Sequence, residues 1–193
     1  MQRWLLLTTL FAATCDADEP ATDSSPVPII DVDPATIDEV MSFLADDALD
    51  GRNNLSPGNA TARAYLQERM VELGLEPFGE GGTYEQPFAQ GTNLLGAIPG
   101  PEGGPVILFG AHYDHLASCR AMLPESHSPE CNGATDNAAG TGSVLAVVEA
   151  LSALGPLPAT LAVALWDAEE DGLLGSFHFV DNPTFDLGRV RLY

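Results

Sequence analysis

Two near-continuous apolar runs, Val106-Ile107-Leu108-Phe109-Gly110 and Leu161-Ala162-Val163-Ala164-Leu165, constrain this chain more than any other feature. Short apolar runs bounded by Gly and Pro read as strands buried on both faces. Between them, Gly140 to Leu154 carries Val144, Leu145, Val147, Val148 and Leu151 and is stopped by Gly155-Pro156, which predicts an apolar helix. Val190 to Tyr193 begins a third run of the same kind. Strand, helix and strand in this order predict an α/β architecture with a mostly parallel central sheet covered on both faces.

Each of the two runs ends in chemistry. The first delivers His112, Asp114 and His115 in the segment GAHYDHL, and the second delivers Glu169 and Glu170 in WDAEEDG. Open α/β sheets build their sites at the carboxyl ends of strands. Between the two, Asp136 sits among small residues in GATDNAAG, where the apolar helix opens. Imidazole plus carboxylates form a nitrogen-and-oxygen donor set suited to zinc. His112 and Asp114 are two apart on a strand, so alternation points both the same way, and a carboxylate on the far nitrogen of a ligand histidine fixes its tautomer. Of the adjacent Glu169 and Glu170, one can bind metal while the other serves as general base. A carboxylate pair at the buried end of an apolar strand is costly without a cation, which weighs against reading it as solvated surface. His115 is read as lining the pocket or as a structural residue, and His127 and His178 as non-ligands.

The 193 residues, 45% of them apolar, suffice for one domain with a real core. With 28 acidic residues against 7 basic ones, all Arg, the formal net charge is −21. Such a surface argues against nucleic acid or anionic lipid as partners. Residues 1–14 carry Arg3 and an apolar stretch from Trp4 to Ala13, too short to span a bilayer but suited to a secretory signal peptide. Residues 15–30 read as an acidic flexible tether, and 31–193 as the folded domain. Cys15 and the segment after it resemble a bacterial lipoprotein signal, although Thr14 is unusual before a lipidated Cys; an outer-membrane lipid anchor, simple cleavage and an uncleaved start all stay open. The expected location is outside the cytoplasm: periplasmic, extracellular or anchored to the cell envelope. In that setting Cys119 and Cys131 are expected to pair and close the segment between them.

Upstream, Asp33 or Asp38 caps a first helix that runs to Asp50-Gly51-Arg52, and Asn59 or Thr61 opens a second that Gly74 stops, with Ser56-Pro57-Gly58 a turn between them. Tyr84 to Phe88 and Asn93 to Ile98 read as strands of a meander, and residues 116–132 as an irregular loop over the site.

The order GAHYDHL, GATDNAAGTG, WDAEEDGLLGS resembles the co-catalytic di-zinc aminopeptidase family, which includes secreted leucyl aminopeptidases, glutamate carboxypeptidases and glutaminyl cyclases. Leu49-Asp50-Gly51-Arg52, Ser56-Pro57-Gly58-Asn59 and Leu73-Gly74-Leu75-Glu76-Pro77 extend the likeness to about residue 41. The resemblance implies a three-layer zinc-exopeptidase fold and removal of N-terminal residues from peptide substrates. It implies two zinc ions per complete site, with His112 on one, Asp136 bridging both and Glu170 on the other. Asp114 would orient His112, and Glu169 would take the proton from the attacking water. The family pattern also has an Asp on the strand that starts at Val190 and a later His, and the sequence shows no counterpart of either. On that reading the fold is truncated at the C-terminus, and two alternatives stand beside the aminopeptidase: a glutaminyl cyclase or carboxypeptidase, and an inactive binding or receptor-like domain.

Overall fold

The structure is a computed structural model that describes residues 29–117 and 131–193. The segment expected to be a signal peptide, nearly all of the expected tether, Cys15, Cys119 and His127 lie outside the described residues.

Helix α1 (Pro34–Leu44) starts where the first of the two expected caps stands: the Asp33 carboxylate accepts from the Ala35 amide, with Pro34 opening the first turn. It ends earlier than expected. Asp46 accepts from the Ala48 amide and starts a separate tight turn over Asp47–Arg52, in which Asp50, Gly51 and Arg52 all have positive φ. Helix α2 (Pro57–Glu72) begins before the expected Asn59 or Thr61, because Ser56 accepts from the Asn59 amide. Ser-Pro is thus a cap and first helical residue, not a turn. Helix α3 (Ala139–Ser152) lies within two residues of expectation, and helix α4 covers Leu174–Asp181.

The strands are β1 (Glu76–Pro77), β2 (Glu85–Phe88), β3 (Gly91–Ile98), β4 (Val106–His112), β5 (Thr160–Trp166) and β6 (Val190–Leu192). They form one sheet in the order β1-β3-β5-β4-β6, with β2 also on β3. β5, β4 and β6 run parallel, whereas β3 lies antiparallel to β5 and to the short β1 and β2. The apolar patterns of β3 and β5 do not distinguish these directions, since both are buried on two faces.

Every residue of β5 is buried. Val163 and Leu165 face a core built with Val40, Leu44, Leu66, Met70, Leu145 and Val148 from α1, α2 and α3. Ala162, Ala164 and Trp166 face the opposite core with Leu95, Leu108 and Phe179. This gives the three-layer arrangement the runs predicted. Among the described residues no helix is long and apolar enough to cross a membrane.

Register now places the chemistry. β4 and β5 pair from Val106↔Thr160 to His112↔Trp166, and the Tyr113 amide donates to the Trp166 carbonyl at 2.9 Å. The two chains therefore leave the sheet side by side, one into Asp114 and His115, the other into Asp167 to Glu170.

Candidate metal centre

His112 is buried at the end of β4. Its Nδ1 lies 3.3 Å from the Asp114 carbonyl and 3.6 Å from the Asp114 carboxylate. Both are acceptors, so Nδ1 carries the proton and Nε2 is left with a lone pair. Nε2 faces Asp136 Oδ1 at 3.1 Å and Glu169 Oε2 at 3.7 Å. A lone pair opposed to carboxylates is stable only with a cation between them, whether a proton or a metal. The acidity of the ring reflects this. Burial, the largest single effect, disfavours its charged form, but the Asp114 side chain and the charges of Glu169, Asp114 and Asp136 outweigh it, so the His112 pKa is raised.

Asp136 comes from an irregular turn over Ala134–Ala138 that precedes α3, in which Asp136 and Asn137 leave helical geometry, and the Asp136–Asn137 peptide is cis. Gly133 enters the turn at φ 55°, where a Cβ would stand 2.5 Å from the His115 ring, so both the backbone and the packing require glycine. The Asp136 side chain is open to solvent. Glu170 is instead held from within: the His115 Nδ1 is 2.5 Å from Glu170 Oε1. This gives His115 a definite place, directly behind a metal-ligand candidate.

The Asp114 carboxylate is fully buried and does more than face His112. It accepts from the Glu169 amide at 3.1 Å and from the Glu170 amide at 3.3 Å. One side chain therefore links the exit of β4 to the turn after β5. Beneath that turn Asp167, also fully buried, accepts from the Thr92 amide, the Asn59 side-chain amide, the Ala168 amide and the Tyr113 hydroxyl, at 2.8 to 3.0 Å. Arg52, buried as well, donates to the carbonyls of Leu44, Tyr113, Asn132 and Gly133. Burial lowers its pKa to about 10, against the charges of Asp114, Asp136 and Glu170, so it stays protonated near neutrality.

Among the described residues His112, Asp136 and Glu170 each offer a ligand atom, and these atoms lie within 4.8 Å of one another. Zinc with bonds of about 2.0–2.2 Å sets its tetrahedral ligands about 3.3–3.6 Å apart. The observed Nε2 to Oδ1 distance of 3.1 Å is close to that scale. Nitrogen and oxygen donors without thiolate fit the same ion. These three are the ligand candidates named from sequence, and Glu169 and Asp114 stand beside them in the positions described. His178 is elsewhere, stacked on Phe88 and facing Asn182. Sequence reasoning passed over Arg52, Asp167, Tyr113 and Asn59. The available signal was an Asp-Gly-Arg turn in a chain without lysine, together with an Asp directly after an apolar strand.

The chain is similar to known proteins in sequence and in fold. The sequence profile of Peptidase family M28 matches residues 93–193, which include all five site residues. Leupeptin-inactivating enzyme 1 of Streptomyces exfoliatus is 28% identical over 178 residues, which make up 90% of this chain and 37% of that protein. A leucine aminopeptidase precursor from Bacteroides thetaiotaomicron superposes with a TM-score of 0.65 at 19% identity, over 84% of this chain and 62% of that one. For Porphyromonas gingivalis glutaminyl cyclase the TM-score is 0.64 at 19% identity, over 80% and 57% of the two chains. At these identities the structural likeness speaks for the fold alone, and it bears out the zinc-exopeptidase α/β class. The chain spans 37% of the first relative's length and 62% of the second's.

Proposed function

We propose that this chain, which belongs to Peptidase family M28, is a zinc-dependent metallo-aminopeptidase that hydrolyses N-terminal peptide bonds. The observation that carries the reading is the His112 lone pair facing Asp136 at 3.1 Å with Glu169 at 3.7 Å, within a ligand set that Glu170 completes. Three nitrogen and oxygen ligands with a side open to solvent match a catalytic zinc that keeps a free position. A bound zinc ion there supplies Lewis-acid polarisation of the scissile carbonyl and acidifies water.

The chain's own residues do the rest. His112, oriented through Nδ1, and Asp136 and Glu170 hold the ion. Glu169, partly exposed beside the ligands, takes a proton from the attacking water and passes it to the leaving amine. Asp114 fixes the amides of Glu169 and Glu170, so base and ligand keep their separation. Acidic groups around the opening suit a substrate with a free, positively charged amine. The described ligands form one group of three, which supports a first zinc; a second, bridged by Asp136 as the family resemblance implies, would draw on donors outside that group. Cys131 is disulfide-bonded, which supports an exported protein in an oxidising compartment.

Glutaminyl cyclisation is the second reading, because cyclases share the fold and pocket walls, not ligands, select the reaction. The test is zinc content after dialysis together with turnover of leucyl and glutaminyl arylamides, on the parent chain and on Glu169→Gln. The variant is expected to keep its zinc and lose about 10²- to 10⁴-fold in rate. Near-parental turnover by Glu169→Gln would show that another group is the base. Cyclisation without hydrolysis would select the second reading, and a parent chain with neither zinc nor turnover would overturn both.

A further inference from the structure

Arg52 is the one cation buried behind this acidic site among the described residues, and none of its hydrogen bonds goes to a carboxylate. Nε donates to the Tyr113 carbonyl at 2.7 Å, Nη1 to Leu44 at 2.9 Å and to Asn132 at 2.5 Å, and Nη2 to Gly133 at 2.8 Å. Tyr113 is the residue between His112 and Asp114. Asn132 and Gly133 lead into the turn that presents Asp136. A rigid planar fork thus joins the two chain segments whose side chains meet at 3.1 Å.

The surrounding backbone is shaped around this fork. Asp50, Gly51 and Arg52 follow one another at φ values of 46°, 72° and 44°, a left-handed run that L-residues adopt only under constraint. At Gly51 a Cβ would collide with the Leu116 carbonyl and stand 2.9 Å from the Cys131 carbonyl, so the turn is pressed against both segments. Asn53 adds a bond from its side-chain amide to the His115 carbonyl at 3.2 Å. The turn therefore contacts β4's exit and the approach to Asp136 along several residues, with the guanidinium at the centre.

We propose that Arg52 is the positioning residue of the metal centre: its guanidinium clamps the Tyr113 carbonyl to the Asn132 and Gly133 carbonyls and so sets the spacing of His112 and Asp136 before an ion arrives. This rests on the reading that His112, Asp136 and Glu170 hold the ion. Geometry and charge act here with opposite sign. A guanidinium repels a cation, so if charge were its only influence, removing it would tighten zinc binding. If it positions the ligands, removing it weakens binding in spite of the relieved repulsion.

The experiment uses the full chain with Arg52→Gln, which keeps a donor but no charge, and Arg52→Lys, which keeps charge but no fork. Zinc affinity is measured by chelator competition, and hydrogen exchange is followed by mass spectrometry on the metal-free proteins. Both variants are expected to bind zinc about 10- to 100-fold more weakly, the usual cost of losing support behind a ligand. Faster exchange is expected in residues 131–138 and 113–117, with β3, β5 and α2 protected as in the parent. Unchanged or tighter zinc binding by Arg52→Gln, unchanged exchange in 131–138, or loss of protection throughout both variants each overturns the proposal. A parent chain that binds no zinc would refute the ligand reading instead, and the exchange comparison alone would then decide whether Arg52 holds the two segments together.

Discussion

Replacing Asp167 with Asn tests whether the site stands on a buried carboxylate that must accept from all sides. Oδ1 receives the Asn59 side-chain amide at 2.9 Å and the Ala168 amide at 2.9 Å; Oδ2 receives the Thr92 amide at 2.8 Å and the Tyr113 hydroxyl at 3.0 Å. Asn keeps the volume but has one acceptor and one donor end. With its NH₂ in the Oδ1 position it opposes two N–H donors. In the Oδ2 position Tyr113 adapts, because its hydroxyl also donates to the Thr92 carbonyl at 2.7 Å and can accept from the new amide. One buried backbone N–H, that of Thr92, then remains unpaired, at a cost of about 1–3 kcal/mol. Denaturant unfolding should show that loss as a lower midpoint with an unchanged slope. The pH dependence has a definite sign. Burial, the largest effect, raises the Asp167 pKa above 3.8, with the Thr92 amide working against it. Stability linked to Asp167 is therefore fully present below its unfolded value and drains as pH rises through the folded one; the Asn variant lacks that drain. A variant within about 0.5 kcal/mol of the parent would refute the argument that the four donors require a carboxylate.

Further outcomes follow from the same contacts. Gly133→Ala, which needs φ 55° and meets the His115 ring, should destabilise by more than about 1 kcal/mol in thermal unfolding, and a neutral result would sink the close-approach argument. Non-reducing peptide mapping should find Cys131 cross-linked to Cys119, a bond closing about 13 residues and worth roughly 3 kcal/mol; a link to Cys15 instead would rule out the loop closure expected from sequence. In the metal-free chain the raised His112 pKa gives stability that is complete below about pH 6.5 and is lost as pH rises through the folded value, so a His112→Gln protein should show a flatter melting-temperature profile from about pH 6 to 8. Parallel profiles would mean that His112 is not paired with the carboxylates in solution.

The strands and the site were legible for one reason: a strand buried on both faces leaves an unbroken apolar signature, and the polar residues within a few positions of where it stops lie at the sheet edge. His112 and Glu169 were found in that way, and parallel pairing of β4 with β5 brought them together. The neighbour of β5 on its other side was not legible, because an antiparallel β3 carries the same apolar pattern as a parallel strand would. The start of α2 was missed where Ser-Pro was read as a turn, although a hydroxyl followed by proline is also a cap and first helical residue.

What sequence could not show were the residues whose partners are backbone atoms far along the chain. The Asp114 carboxylate bonds amides 55 and 56 positions away, and Arg52 bonds carbonyls 61, 80 and 81 positions away. Backbone groups leave no trace in residue type, so neither contact has a sequence partner to look for. The burial of both charges follows from the same fact. A carboxylate held by amides and a guanidinium held by carbonyls are each solvated by peptide dipoles, which offsets the loss of water without a direct ion pair. Their opposite charges, close enough for Asp114 to act on the Arg52 pKa, then partly cancel across the floor of the site. The ligands above stand on a floor that is fixed by hydrogen bonds and in which Arg52 offsets the charge of Asp114, which leaves the charge of Asp136, Glu169 and Glu170 to be balanced from the open side, where the proposed cation and amine-bearing substrate would arrive.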